Sequence, residues 1–215
     1  MRQGLFLTFE GVDGSGKSLQ CRRLAQRLGA EGGAVVLTRE PGGTPLGHDL
    51  RRLLLHPSAD GRRPHARTEA LLFAADRAEH VATVIRPALA AGRIVICDRF
   101  ADSTRAYQGY GRRADAAVIE TLIALATDGL SPHLTILLDL DVAEAQRRLA
   151  TRARQAEETP THFDRETLDF HNRVRDGFLT LAAAEPNRFH VLDGAQSPDD
   201  LHAAAYALVS ARLSA

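Results

Sequence analysis

Residues 11–18 read Gly-Val-Asp-Gly-Ser-Gly-Lys-Ser and fit the pattern G-x-x-x-x-G-K-[ST]. Gly11, Gly14 and Gly16 allow backbone angles that turn successive N–H groups toward one anion. A helix beginning near Ser18 adds its positive end. Lys17 is placed to bridge the β- and γ-phosphates of ATP, and the Ser18 hydroxyl to ligate Mg²⁺. Val12, Asp13 and Ser15 fill the variable positions of the same loop. The competing reading is a glycine-rich turn with a chance Lys-Ser pair, and the strand and helix patterns on either side oppose it. Nucleotide binding alone does not name a reaction, because unrelated activities share such a loop.

A second group of residues points to something that receives a phosphate. Asp98 and Arg99 follow an apolar run, "RIVIC". In open parallel sheets ligands bind beyond the carboxyl ends of strands, so this pair faces the same rim as the loop. Asp98 could hold Mg²⁺ through water or accept a proton. Arg99 could clamp a phosphate with two prongs; the plain alternative is a surface ion pair. Arg51 lies in a helix after "TREPGGT" (38–44). Phe73 and Arg77, four residues apart, share one helix face. A ring and a guanidinium there would suit a nucleobase, although a helical Phe taken alone is more often core. No Ser/His/Asp or Cys/His set is visible. The nine histidines show no H-E-x-x-H spacing and read mostly as surface residues.

The elements that must position these groups alternate along the chain. Apolar, β-branched runs at 5–10, 34–40, 93–98, 134–141 and 188–193 read as strands. Between them lie helical patterns from Ser18, at 46–54, 68–90, 115–127, 142–154, 165–185 and after Ser197, which caps the last helix with Pro198 in its first position. Cys21, Leu24, Ala25 and Leu28 mark the inner face of the first helix. Residues 56–67 and the polar part of 150–166 carry no period and read as loops. The expected fold is α/β, a parallel sheet with helices on both faces, in one domain over 1–215 without repeat or linker.

Composition sets bounds. Lys plus Arg and Asp plus Glu number 27 each, so nothing marks a nucleic-acid or membrane binder. Cys21 and Cys97 read as buried thiols, not a disulfide. With no leader pattern and no apolar run near 18 residues, the expected location is the cytoplasm.

Several segments together resemble the thymidylate kinase family along nearly the whole chain. They are "FEGVDGSGKS", "TREPGGTPLGHDLRRLLL", "ALLFAADRAEHVATVIRPALAAGRIVICDRF", "DSTRAYQGYGR" and "LDFHNRVRDGF". The resemblance implies a P-loop NTPase fold with a five-stranded parallel sheet, usually in a homodimer. It implies Mg²⁺-dependent transfer of the ATP γ-phosphoryl group to dTMP. Carried over by position, it implies that Phe73 stacks on thymine and that Arg77 bonds its edge. Arg51 and Arg99 would hold the monophosphate, and Ser103, Thr104 and Gln108 would line the base and sugar pocket. Tyr107 would pack where a ribose 2′-hydroxyl would sit, and Asp13 would lie near the acceptor 3′-hydroxyl. Other nucleoside or nucleotide kinases of this fold remain an alternative, as does a nucleotide-dependent switch.

The same resemblance makes residues 150–166 a lid. It supplies arginine when the phosphate loop has none, which here leaves Arg152 and Arg154. The chain departs from the family pattern at Thr161-His162-Phe163-Asp164, where an arginine is replaced by His162, so no family role carries over to His162. Arg147 or Arg148 and residues 194–197 are the candidates for adenine contacts. Val81, Val84 and Ile85 would serve either a dimer face or the core.

Overall fold

The structure, a computed structural model, describes residues 4–56, 62–156 and 161–214, with 155 and 156 described by their backbone alone. Parts of two expected loops, 57–61 and 157–160, lie outside the described residues. Five strands, β1 (Leu5–Glu10), β2 (Val35–Arg39), β3 (Ile94–Asp98), β4 (Leu134–Asp139) and β5 (Phe189–Asp193), form one parallel sheet in the order β2-β3-β1-β4-β5. Leu7 of β1 lies opposite Ile96 on one side and Leu134 on the other. Strands so enclosed are apolar on both faces, which is why they read as continuous runs.

Side chains alternate across the sheet with period two. Leu7, Phe9, Ile94 and Ile96 face α1 (Lys17–Ala30) and α9 (Pro198–Ser214), meeting Cys21, Leu24, Leu201 and Val209. Phe6, Val95 and Cys97 face the other way, against α3 (Ala66–His80), α4 (Arg86–Ala90) and α6 (Ala116–Thr127). A third cluster joins β4 to α7 (Val142–Ala156) and α8 (Leu168–Ala184) through Leu137, Ala145, Phe170 and Phe178. Burying one phenylalanine such as Phe6 or Phe9 contributes about 2–3 kcal/mol.

Three local features differ from the sequence expectation. The strand expected over 134–141 ends at Asp139, because the Asp141 carboxylate turns back to accept from Ala143 N at 2.9 Å and starts α7. The helix expected over 68–90 begins earlier, at Ala66, and widens into a π turn over Val81–Ile85. Pro87 has no N–H to give and its ring clashes with the carbonyl four residues back. The chain adjusts by an Arg86 N–H to Val81 carbonyl bond of the longer i→i−5 kind. The motif "DSTRAYQGYGR", read without an element, forms α5 (Ala101–Thr104) and a second π segment, Arg105–Gly111. Val81 and Ile85 are buried in the core, which settles that alternative for these two residues. α2 (Pro45–Leu55) starts at Thr44, whose hydroxyl accepts from Gly47 N at 2.9 Å.

Candidate active site

The phosphate loop leaves the carboxyl end of β1 and enters α1. Gly11 has φ +138° and Gly14 φ +88°, and a Cβ at either would lie 2.5 Å from the Leu138 or the Ala145 carbonyl oxygen. Only glycine suits both conformation and space. Lys17, 5% exposed, arches over the loop and donates to the Val12 carbonyl at 2.8 Å. Burial, with Arg99 nearby, lowers its pKa to about 8, against the pull of Asp13, Asp98 and Glu10.

Ser18 at the start of α1 donates its hydroxyl to Asp98 at the end of β3. Two hard oxygen donors thus meet beside the loop. Among the described residues no group of three or more His, Cys, Asp or Glu gathers to enclose a metal. Such a pair fits Mg²⁺, which keeps waters and takes its other oxygens from phosphates. It does not fit a cation that needs a full protein cage.

Arg99 follows directly and has φ +75°, a left-handed conformation unusual for arginine. Its guanidinium donates to the Gly11 carbonyl at 3.1 Å, Ser103 Oγ at 2.9 Å, Asp13 Oδ1 at 2.7 Å and the Tyr107 hydroxyl at 3.1 Å. Tyr107 in turn donates to Asp13 Oδ2 at 2.8 Å. Burial alone would raise the Asp13 carboxyl, but the charges of Arg99 and Lys17 outweigh it and hold Asp13 well below the usual range. Beneath this triad Glu10 accepts from Phe100 N at 2.7 Å and Ser103 Oγ at 2.6 Å. Burial and the neighbouring Asp102 push Glu10 up to about 7.

Farther along the cavity, Arg39, Arg51 and Arg99 converge. Burial, and after it the charges of Arg39 and Arg99, push Arg51 down to about 10. Beyond them lies Arg77, 2% exposed. It donates to Glu40 Oε2 at 2.9 Å, Thr104 Oγ1 at 3.0 Å and the Phe100 carbonyl at 3.1 Å. Glu40 is also paired with His80 Nδ1 at 2.9 Å, and His80 Nε2 with Thr38 Oγ1 at 2.6 Å. The Phe73 ring lies 6.2 Å from that of Phe163, which meets Tyr107 edge-on at 5.7 Å. One cavity of about 400 Å³ contains both the anion site and this aromatic end.

A model of the family described as thymidylate kinase matches residues 9–205. The chain belongs to the thymidylate kinase family. A thymidylate kinase of Geotalea uraniireducens is 49% identical over 211 residues, covering 98% of each chain. One of Deinococcus radiodurans is 48% identical over 212 residues, covering 99% of each. The crystal structure of thymidylate kinase from Ehrlichia chaffeensis superposes with a TM-score of 0.75 at 37% identity, covering 96% of this chain and 98% of that one. As a member of the thymidylate kinase family the chain is a nucleotide-binding transferase of the kinase type.

Most of the thymidylate kinase site expected from sequence lines this cavity. Asp13, Gly14, Gly16, Lys17, Ser18, Arg51, Phe73, Arg77, Asp98, Arg99, Ser103, Thr104, Tyr107, Gln108 and Arg152 are all on its wall. Gly11, Val12 and Ser15 shape the loop from behind, Val12 with its side chain in the core. Arg154 is exposed and off the wall. Arg148 is on it and donates to the Gly194 carbonyl at 3.0 Å, so two candidate adenine segments touch, while Arg147 is exposed and pairs with Glu144.

Arg22, Arg39, Phe163 and Asp164 also line the cavity and were not among the sequence candidates. Arg39 had a signal, since it ends a parallel strand as Arg99 follows one; the others did not. Of the nine histidines three, His80, His162 and His171, are buried, and the other six are exposed or half-buried, in line with the surface reading of most of them. His162 reaches inward to Glu69 Oε2 at 3.2 Å. No described helix is long and apolar enough to cross a membrane.

Proposed function

We propose that the chain transfers the γ-phosphoryl group of ATP to dTMP, giving dTDP and ADP. The observation that carries this is the continuity of the cavity, which runs from the Lys17 loop past three arginines to Phe73 and Arg77. A cavity with this run suits a triphosphate and a nucleoside monophosphate set end to end.

In this reading Arg39, Arg51 and Arg99 hold the acceptor phosphate with charge-assisted bonds. Its oxygen is already ionised at neutral pH and needs no base. It forms a bond to the γ-phosphorus while the bond to the β-phosphate bridging oxygen breaks, and ADP leaves with the electron pair. Catalysis is alignment and charge neutralisation. Lys17 donates to the γ-phosphoryl oxygens as they move. Ser18 and Asp98 would hold Mg²⁺, which would supply positive charge to the phosphates. Phe73 stacks on thymine, Arg77 and Gln108 bond its edge, and Thr104 completes the wall. Ser103 braces Arg99, Tyr107 fills the space of a 2′-hydroxyl, and Asp13 receives the acceptor 3′-hydroxyl. Arg152 supplies lid charge.

We also propose a homodimer. α2 packs on α3 and α3 on α6. These adjacent helices expose Leu46, Leu53, Leu71, Val118 and Leu125, apolar area of the kind that a second copy covers. The two buried free thiols fit a reducing cytoplasm.

ADP release by the purified chain with ATP and Mg²⁺ tests the reaction. It should require dTMP, proceed far more slowly with dUMP, dCMP or AMP, and fail with thymidine. ATP consumption independent of dTMP, or a preference for another acceptor, would sink the proposal. Sedimentation tests the dimer, and a monomer at micromolar concentration would reject it.

A further inference from the structure

Glu69 stands one helical turn before Phe73 on α3 and is 1% exposed. Its Oε1 accepts from Gln108 Nε2 at 3.0 Å and Arg112 Nε at 3.3 Å. Its Oε2 accepts from Arg112 Nη2 at 3.2 Å and His162 Nε2 at 3.2 Å. Burial would raise this carboxyl, but the bonds from His162, Arg112 and Gln108 outweigh it and keep it ionised. An ionised carboxylate only accepts. The face of the Gln108 amide turned to Glu69 must therefore be its NH₂ group.

The two ends of a primary amide are chemical opposites. With nitrogen committed to Glu69, Gln108 offers its oxygen, an acceptor, to the cavity it lines. Arg77 on the same wall offers only donors. The wall thus presents a donor beside an acceptor. The O4 and N3–H of thymine or uracil complement that order. Cytosine shows an amino group and a bare N3, the reverse order.

We propose that Glu69 is a specificity-determining positioning residue. It locks the Gln108 amide with its oxygen toward the acceptor base, so that pyrimidines bearing N3–H are taken and those with a bare N3 are refused. The proposal rests on the reading of this cavity as the dTMP site. The Glu69 carboxylate also holds His162, whose ring lies tilted against that of Phe163 with centroids 4.1 Å apart. A purely structural role therefore has to be separated from the proposed one.

The comparison of dUMP with dCMP does so, because the two differ only at this edge of the base. In Glu69→Gln the Gln108 amide is free to turn over. The wild-type ratio of kcat/KM for dUMP over dCMP should fall about tenfold, with the KM for ATP unchanged. In a Gln108→Leu background the same substitution at 69 should leave the ratio where Gln108→Leu put it. Glu69→Asp keeps the charge but draws it back by one methylene from Gln108, and it should show the same fall. Circular dichroism and thermal melts verify folding. An unchanged ratio in a folded variant, or a fall that persists without the Gln108 amide, overturns the proposal. So does failure of both variants to fold, which would make Glu69 a scaffold element. Wild-type turnover of dTMP is measured alongside. If it is absent, the kinase reading fails, whatever the variants do.

Discussion

Arg99 and Asp13 hold each other across the mouth of the phosphate loop, Nη2 to Oδ1 at 2.7 Å, and the Tyr107 hydroxyl bonds both. Residues 86 positions apart in sequence thus form one unit. The unit fixes the guanidinium between the loop and the acceptor end of the cavity. Changing either residue takes one partner from the other, while the Tyr107 hydroxyl still bonds the one that remains.

Arg51→Ala and Arg99→Ala should therefore differ. Arg51 makes one backbone bond, to the Pro41 carbonyl at 2.9 Å, and its loss should raise the KM for dTMP roughly tenfold or more with the fold intact. Arg99→Ala also takes a partner from both Asp13 and Tyr107 and leaves the Asp13 charge unbalanced, and should lower stability by about 1–3 kcal/mol as well. Separate titration of ATP and dTMP, with urea unfolding, checks both. Equal weakening of the two nucleotides by Arg51→Ala would contradict two distinct phosphate sites.

ATP binding should take up protons around pH 8. Lys17 has a pKa of about 8 in the free protein, and a triphosphate beside it raises that value. The raised state is the bound one, so the gain in affinity is complete below pH 8 and lost as pH rises beyond it. Calorimetry at pH 8.5 in buffers of different ionisation enthalpy measures the uptake. Lys17→Met should abolish it. A wild type that binds ATP with no proton exchange would show that Lys17 is already charged.

Two substitutions at Tyr107 separate its ring from its hydroxyl. Tyr107→Phe should keep discrimination against the ribonucleotide of thymine while lowering turnover, because Asp13 and Arg99 lose a shared partner. Tyr107→Ala should raise relative use of the ribonucleotide. Its ring is packed edge-on against Phe163, Phe170 and Phe178, so the alanine variant should also melt earlier, by about 3–5 kcal/mol of lost stability. Unchanged sugar preference in the alanine variant would remove the ring from that role.

Arg152→Ala should lower kcat at saturating substrates by about 10²-fold, with smaller effects on KM, since charge developing during transfer is what it meets. Arg152 lines the cavity and Arg154 does not, so Arg154→Ala should stay within a few-fold of wild type. Full activity in both single variants and in the double variant would place the lid charge elsewhere.

The groups with a local signature were legible in the sequence. The glycine loop follows a fixed spacing, and the buried parallel strands announce themselves as apolar runs. The π segment around Tyr107 was not, because a helix carrying an extra residue per turn breaks the period by which helices are recognised. Buried charge was equally hidden. Glu69 meets Gln108 from 39 positions away and His162 from 93, and Glu40 meets Arg77 from 37. A glutamate in a helical stretch reads as a solvated face until the fold places donors around it. For the same reason His162 reads in sequence only as a missing arginine, and its inward bond to Glu69 needs three dimensions.

Cys21 and Cys97 lie in different layers, one on the inner face of α1 beside α9 and the other on the opposite side of the sheet. Burial pushes both thiols well above their ordinary pKa, so neither reacts while its layer is closed. The chain thus carries two silent reporters, one for each side of its sheet. The rate at which an alkylating reagent reaches each sulfur measures how often that layer opens. Equal rates would mean that the molecule loosens as a whole. Unequal rates would assign each half its own rhythm of opening, and bound nucleotide should slow the half whose helices it touches.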